Sequence, residues 1–157
     1  MIDPLGRITT SGYDGAGRQT LRLDAQANRT TYTFDPVGRV TGRLYPDASR
    51  VTFAYDPLGN RTQMGDSTGI YTHTYDALSR MESAVDPAGQ RKTYTYDAVG
   101  RRASMTDSIS GRFTYAYDPA GRLDHEVNPQ GSRTTYTYDA VGRRTLQQLN
   151  ASRAPAS

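Results

Sequence analysis

One phrase, Tyr-Asp-x-x-Gly-Arg, constrains this chain more than anything else in it. It appears as Tyr13-Asp14-Gly15-Ala16-Gly17-Arg18, Phe34-Asp35-Pro36-Val37-Gly38-Arg39 and Tyr55-Asp56-Pro57-Leu58-Gly59-Asn60. It continues as Tyr75-Asp76-Ala77-Leu78-Ser79-Arg80 and Tyr96-Asp97-Ala98-Val99-Gly100-Arg101. The last two copies are Tyr117-Asp118-Pro119-Ala120-Gly121-Arg122 and Tyr138-Asp139-Ala140-Val141-Gly142-Arg143. The starts at 13, 34, 55, 75, 96, 117 and 138 lie 21 residues apart, with one spacing of 20 between 55 and 75. A fixed period of this size means stacked supersecondary units.

Each period holds two turns. Between the Tyr-Asp turns lies a looser one, as in Asp86-Pro87-Ala88-Gly89-Gln90, Asp107-Ser108-Ile109-Ser110-Gly111 and Asn128-Pro129-Gln130-Gly131-Ser132. Asp3-Pro4-Leu5-Gly6-Arg7 reads as a further turn. Two turns imply two strands per period, each of about five to seven residues. In Asp56-Pro57-Leu58-Gly59 the Asp accepts from a backbone N–H two residues on, Pro sets φ, and Gly takes the left-handed conformation. This is a type I turn closed by a glycine bulge. Ser79 stands where the other copies have Gly, which costs about 1 kcal/mol if the geometry holds. A local irregularity is expected near that copy, which the 20-residue spacing precedes. Strands entering the Tyr-Asp turns alternate Thr with rings, as in Thr31-Tyr32-Thr33-Phe34 and Thr93-Tyr94-Thr95-Tyr96, so the rings share one face. No segment reads as a helix; Thr145 to Asn150 could end a strand or begin a helix. A propeller is rejected, since the repeat is equally good at 21 residues and seven units give no whole number of paired blades.

Composition agrees with a wet sheet. Only 35 % of residues are hydrophobic, too few for a deep core, but a sheet with one wet face needs fewer. The chain has 14 Asp against 2 Glu, and 18 Arg against the single Lys92, a turn-rich and helix-poor inventory. The net charge of +3 is spread over alternating Arg and Asp with no basic block, which argues against nucleic acid. Absence of Cys removes disulfides and thiolate metal sites. Met1-Ile2-Asp3-Pro4 lacks a signal-peptide pattern, and no run approaches the ~20 apolar residues of a membrane helix.

No catalytic, cofactor or metal site emerges. His73 lies in line with Tyr71 and Tyr75, and His125 between Leu123 and Val127; both read as substitutions on a sheet face, since two histidines make no zinc pattern. The turn Asp residues supply one carboxylate each with no Asp-x-Asp, unlike a calcium loop, and no Gly-Lys-Ser/Thr follows the glycines. The rings could stack sugars, but packing or lining is favoured. The recurrent Arg18, Arg39, Arg101, Arg122 and Arg143 could bind acidic glycans, but pairing with a neighbouring turn Asp is favoured, worth about 0–1 kcal/mol. Asn28-Arg29-Thr30, Asn60-Arg61-Thr62 and Asn150-Ala151-Ser152 match the glycosylation pattern, which matters only in a eukaryotic secretory pathway.

Seven copies of Tyr-Asp-x-x-Gly-Arg closely resemble the YD repeat of the RHS (rearrangement hotspot) family, over nearly the whole chain. The resemblance implies an all-β, antiparallel strip of hairpins that curves into a hollow β-shell. In RHS polymorphic toxins and toxin-complex components such shells enclose a C-terminal toxic polypeptide; in teneurins a related shell belongs to a cell-surface adhesion receptor. The array is expected over residues 1–149, with a disordered tail over 150–157. No toxin, delivery or self-cleaving segment is recognised. About 14 strands at ~4.8 Å span roughly 70 Å, which suits a piece of wall, and so a fragment of a longer product or a short derivative of one.

The expected function is therefore structural: wall of a shell whose partner is a polypeptide cargo or neighbouring repeats, secreted or at the cell surface or envelope. The alternative is a surface adhesion module binding carbohydrate or protein. Tyr, Asp, Gly and Arg of the repeat are its structural residues, with no cofactor and no nucleic-acid partner. Open edge strands predict a marginal or self-associating chain in isolation.

Overall fold

The computed structural model describes residues 8–150; the Asp3–Arg7 turn and residues 151–157 of the expected tail lie outside the described residues. Among the described residues there are fourteen strands and no helix. The chain divides into two compact units, Met1–Ser79 and Arg80–Ser157. The N-terminal unit holds β1 (Thr10–Tyr13), β2 (Gln19–Leu23), β3 (Arg29–Phe34), β4 (Val40–Leu44), β5 (Arg50–Tyr55), β6 (Arg61–Asp66) and β7 (Gly69–Tyr75). The C-terminal unit holds β8 (Met81–Val85), β9 (Arg91–Tyr96), β10 (Arg102–Asp107), β11 (Gly111–Tyr117), β12 (Leu123–Val127), β13 (Arg133–Tyr138) and β14 (Arg144–Asn150). Within each unit every strand pairs antiparallel with its neighbours in sequence. The segment Thr145 to Asn150 is strand, the greater part of β14.

The Tyr-Asp turns are built alike. At Asp35 the backbone N–H of Gly38 donates to the Asp35 carbonyl at 3.0 Å, and the Asp35 N–H donates to the Arg39 carbonyl at 2.9 Å. Gly38 has φ 89°. Ser79 takes the same left-handed conformation, φ 59°, although it carries a Cβ. The register slips by one residue before the turn, between Thr33 and Phe34 and again between Ala54 and Tyr55, which is the bulge that the turn type requires.

The 20-residue spacing has a separate cause. Asp66 pairs with Gly69, so β6 and β7 are joined by Ser67 and Thr68 alone. Two periods on, Asp107 pairs with Gly111 across three residues. One residue is thus lost at the far turn, while the Ser79 N–H still donates to the Asp76 carbonyl at 2.9 Å.

The two faces differ. On one, registers join Tyr32 with Arg43 and Phe53 with Met64 and Tyr71, and in the C-terminal unit Tyr94 with Met105 and Phe113. On the other, small residues meet: Thr33, Gly42, Thr52 and Gly65 in one row, Thr95, Ser104 and Thr114 in another. Gly42 is required there, because a Cβ would stand 2.7 Å from Thr33 Oγ1. No hydrophobic side chain among the described residues is buried; Ser83 and Ser104 are the buried polar ones. Order therefore rests on the backbone ladder and half-covered side chains, not on a core.

Candidate functional site: the Tyr-Asp turns and the ring face

Each turn Asp is fully engaged. Asp35 Oδ1 accepts from the backbone N–H groups of Val37 (3.1 Å) and Arg39 (2.8 Å), and Oδ2 accepts from Arg39 Nε at 2.6 Å. The same Arg-to-Asp bond joins Arg18 to Asp14, Arg101 to Asp97, Arg122 to Asp118 and Arg143 to Asp139, each at 2.7 Å. These bonds hold the carboxyls below their ordinary range. For Asp14 and Asp118 the leading cause is the backbone N–H of the Arg, and for Asp139 the Arg143 side chain. For Asp35 and Asp97 burial pushes upward, and the Arg bonds together outweigh it.

The same guanidinium reaches forward into the next period. Arg18 lies over the Phe34 ring at 5.1 Å, Arg39 over Tyr55 at 4.8 Å, Arg80 over Tyr96 at 4.5 Å, Arg101 over Tyr117 and Arg122 over Tyr138 at 4.6 Å. Arg18 and Arg39 also donate from Nη1 to the carbonyls of Asp35 (3.0 Å) and Asp56 (2.9 Å). Each covered tyrosine answers with its hydroxyl. Tyr55 donates to the Val40 carbonyl, Tyr96 to Met81, Tyr117 to Arg102 and Tyr138 to Leu123, at 2.8–3.0 Å. Phe34 lacks the hydroxyl, and Tyr13 is 63 % exposed with no described guanidinium over it. The motif is thus a clamp: its Asp anchors an Arg, and the Arg grips the ring of the following copy.

One rung differs. Asn60 replaces Arg, donating to Asp56 Oδ2 at 2.8 Å and to Ser79 Oγ at 3.1 Å. Tyr75 still donates to the Arg61 carbonyl at 2.9 Å but has no described guanidinium above it. The two departures from the phrase, Asn60 and Ser79, therefore touch each other, and Asp76 keeps its turn bond to the Leu78 N–H. Sequence analysis singles out Ser79 and not Asn60; their 19-residue separation, close to one period, is the signal that links them.

A second arginine set was not foreseen. Arg43 lies over Tyr32 at 5.8 Å and Phe53 at 5.9 Å, Arg61 over Phe53 at 5.8 Å, Arg102 over Tyr94 at 4.8 Å and Arg144 over Tyr136 at 5.6 Å. Nine rings therefore lie under a described guanidinium, which reduces the π-face they offer a stacked sugar, whereas Tyr71, Phe113 and Tyr115 have none described over them. His73 replaces the ring two residues before Tyr75; its Nδ1 is buried without a hydrogen-bond partner, and burial, then Arg61, lowers its pKa. His125 Nδ1 sits 2.7 Å from Asp124 Oδ2 and 3.0 Å from Arg133 Nη2. No cluster of three or more metal-ligating side chains occurs among the described residues. A shallow depression of about 330 Å³ beside Thr31, Leu44 and Tyr45 holds no acid–base pair.

A family model described as Teneurin YD-shell matches residues 8–154. Among solved structures, the crystal structure of TcdB2-TccC3-Cdc42 aligns at TM-score 0.77 with 19 % identity, covering 92 % of this chain and 9 % of that one. The Photorhabdus luminescens Tc holotoxin pore and TcdB2-TccC3 alone match with the same values. This chain thus spans about a tenth of their length. No curated protein sequence matches.

Proposed function

Because this chain belongs to the teneurin YD-shell family, we propose that it forms a section of the wall of a hollow shell that encloses a polypeptide. The observation that carries the reading is the clamp: every complete rung links one hairpin to the next, so cohesion runs along the sheet and needs no core on either side. Such a wall can stand with one face toward a contained chain and one toward solvent. The mechanism is physical: exclusion of proteases and of the producing cell from the enclosed chain. The family's structural character supports a scaffold, not an enzyme, and the toxin complexes it aligns with support a secreted or cell-envelope setting.

The test uses the full-length product that carries this stretch. Native and unfolded samples are treated with a non-specific protease. The reading expects a segment that survives intact in the native protein and is digested after unfolding. Equal digestion of every segment outside the repeats in both states would refute enclosure.

A further inference from the structure

The N-terminal unit carries a row of arginines that the turn clamps do not use. Arg22 in β2 pairs in register with Thr30, the neighbour on the Tyr32 side of β3, so it shares the ring face. Arg43 in β4 lies over Tyr32 and Phe53, and Arg61 in β6 lies over Phe53. All three are exposed and lie on every second strand in a diagonal: Arg22 and Arg43 are staggered by two residues along β3, and Arg43 and Arg61 by four along β5, so successive Cα atoms stand roughly 12 and 17 Å apart. Of the seven carboxylates of residues 8–79, Asp14, Asp24, Asp35, Asp47, Asp56 and Asp76 lie in the turns between strands, and Asp66 ends β6, where its Oδ1 accepts from the Thr68 N–H. Arg43 and Arg61 have no described carboxylate partner. The corresponding face of the C-terminal unit is mixed: Glu126 pairs in register with Tyr115 and accepts from the Tyr136 hydroxyl.

We propose that the ring face of the N-terminal unit docks an extended acidic polypeptide through Arg22, Arg43 and Arg61. A guanidinium lying on an aromatic ring keeps its N–H fork open at the edge, in the geometry that receives a carboxylate with two parallel bonds. The rings beneath hold the fork in place and supply the apolar floor for the stems of the bound chain. Capped rings disfavour the stacking modes by which single-stranded nucleic acid binds. This inference rests on the wall reading and names the chemistry of what lies against the wall.

The test is binding of a fluorescein-labelled oligoglutamate to the full chain, followed by anisotropy at low and high salt. Saturable binding that weakens with salt is expected. Arg43→Ala and Arg61→Ala should each weaken it about three- to fivefold, and the double variant about tenfold. Arg50→Ala removes the same charge on the opposite face, where Arg50 pairs with Leu44, and should change binding less than twofold. Arg43→Lys with Arg61→Lys keeps the charge and loses the fork, and should still cost about threefold. Equal losses for Arg50→Ala and Arg43→Ala, or an oligouridylate binding as tightly as the oligoglutamate, would overturn the proposal. Failure here leaves the protease-protection result untouched, so the two readings fall separately.

Discussion

The altered rung at Asn60 and Ser79 permits a quantitative test of the clamp. Asn60→Arg would restore the guanidinium over Tyr75, worth about 0.5–1 kcal/mol, and a bond to the Asp76 carbonyl like that of Arg39 to Asp56, worth about 1 kcal/mol. It would lose the bond to Ser79, also about 1 kcal/mol. The single variant should therefore gain about 1 kcal/mol. Ser79→Gly relieves a left-handed residue, about 1 kcal/mol, and loses the same Asn60 bond, so it should be near neutral. The double variant loses that bond only once, and should gain about 2 kcal/mol, or roughly 4–8 °C in Tm. Its excess over the sum of the singles, about 1 kcal/mol, is the Asn60–Ser79 interaction. In the regular copies Arg39, Arg80 and Arg101 lie 3.8–3.9 Å from where a Cβ on the facing glycine would stand, an ordinary van der Waals separation, so a Cβ at 79 does not block the new guanidinium. Urea unfolding of the four proteins measures the cycle. Additivity within about 0.3 kcal/mol would refute the reasoning, because residues that do not interact should simply add.

Ala48 and Ala27 hold φ 63° and 60°, so Ala48→Gly and Ala27→Gly should each raise stability by about 1 kcal/mol, read by the same unfolding assay. Tyr96→Phe removes the 2.8 Å hydroxyl bond to the Met81 carbonyl but keeps the ring under Arg80, and should cost about 0.5–1.5 kcal/mol. His73 has a lowered pKa in the fold, so its stabilising share is complete above the unfolded value of about 6.5 and is lost as pH falls through the folded one. His73→Tyr should therefore raise Tm more at pH 5 than at pH 7.5. The turn carboxylates are lowered as well, so their share is present above about 3.9 and lost as pH falls through their folded values; Tm of every variant should drop steeply below about pH 4.

Strands, turns and ring alternation were legible because each depends on residues close in sequence: period two in Thr93-Tyr94-Thr95-Tyr96, or an Asp four residues before its Arg. The forward grip of Arg101 on Tyr117 was not, because it joins residues 16 apart and requires the strand register, which the pattern alone leaves unspecified. The same applies to Arg43, which reads as an ordinary exposed strand residue until Tyr32 and Phe53 are placed on either side of it. The shortened spacing was legible as a defect but not by position: it falls at Ser67-Thr68, whose two-residue connection looks no shorter on paper than its neighbours. Thr145 to Asn150 stayed ambiguous because Leu146 and Leu149 are both exposed, and only pairing with β13 makes them strand.

The forward grip has a direction, and this bears on how such an array is made. Arg39 is already anchored by Asp35 when the Tyr55 ring leaves the ribosome, and Tyr96, Tyr117 and Tyr138 likewise meet a guanidinium synthesised before them. Growth then needs only the preceding hairpin as template, through contacts of short loop length that close quickly. It also makes the period a genetic unit. Excision of one 21-residue repeat would bring the next ring under the preceding arginine with the same spacing, so arrays of different length can arise by recombination without redesign of any contact.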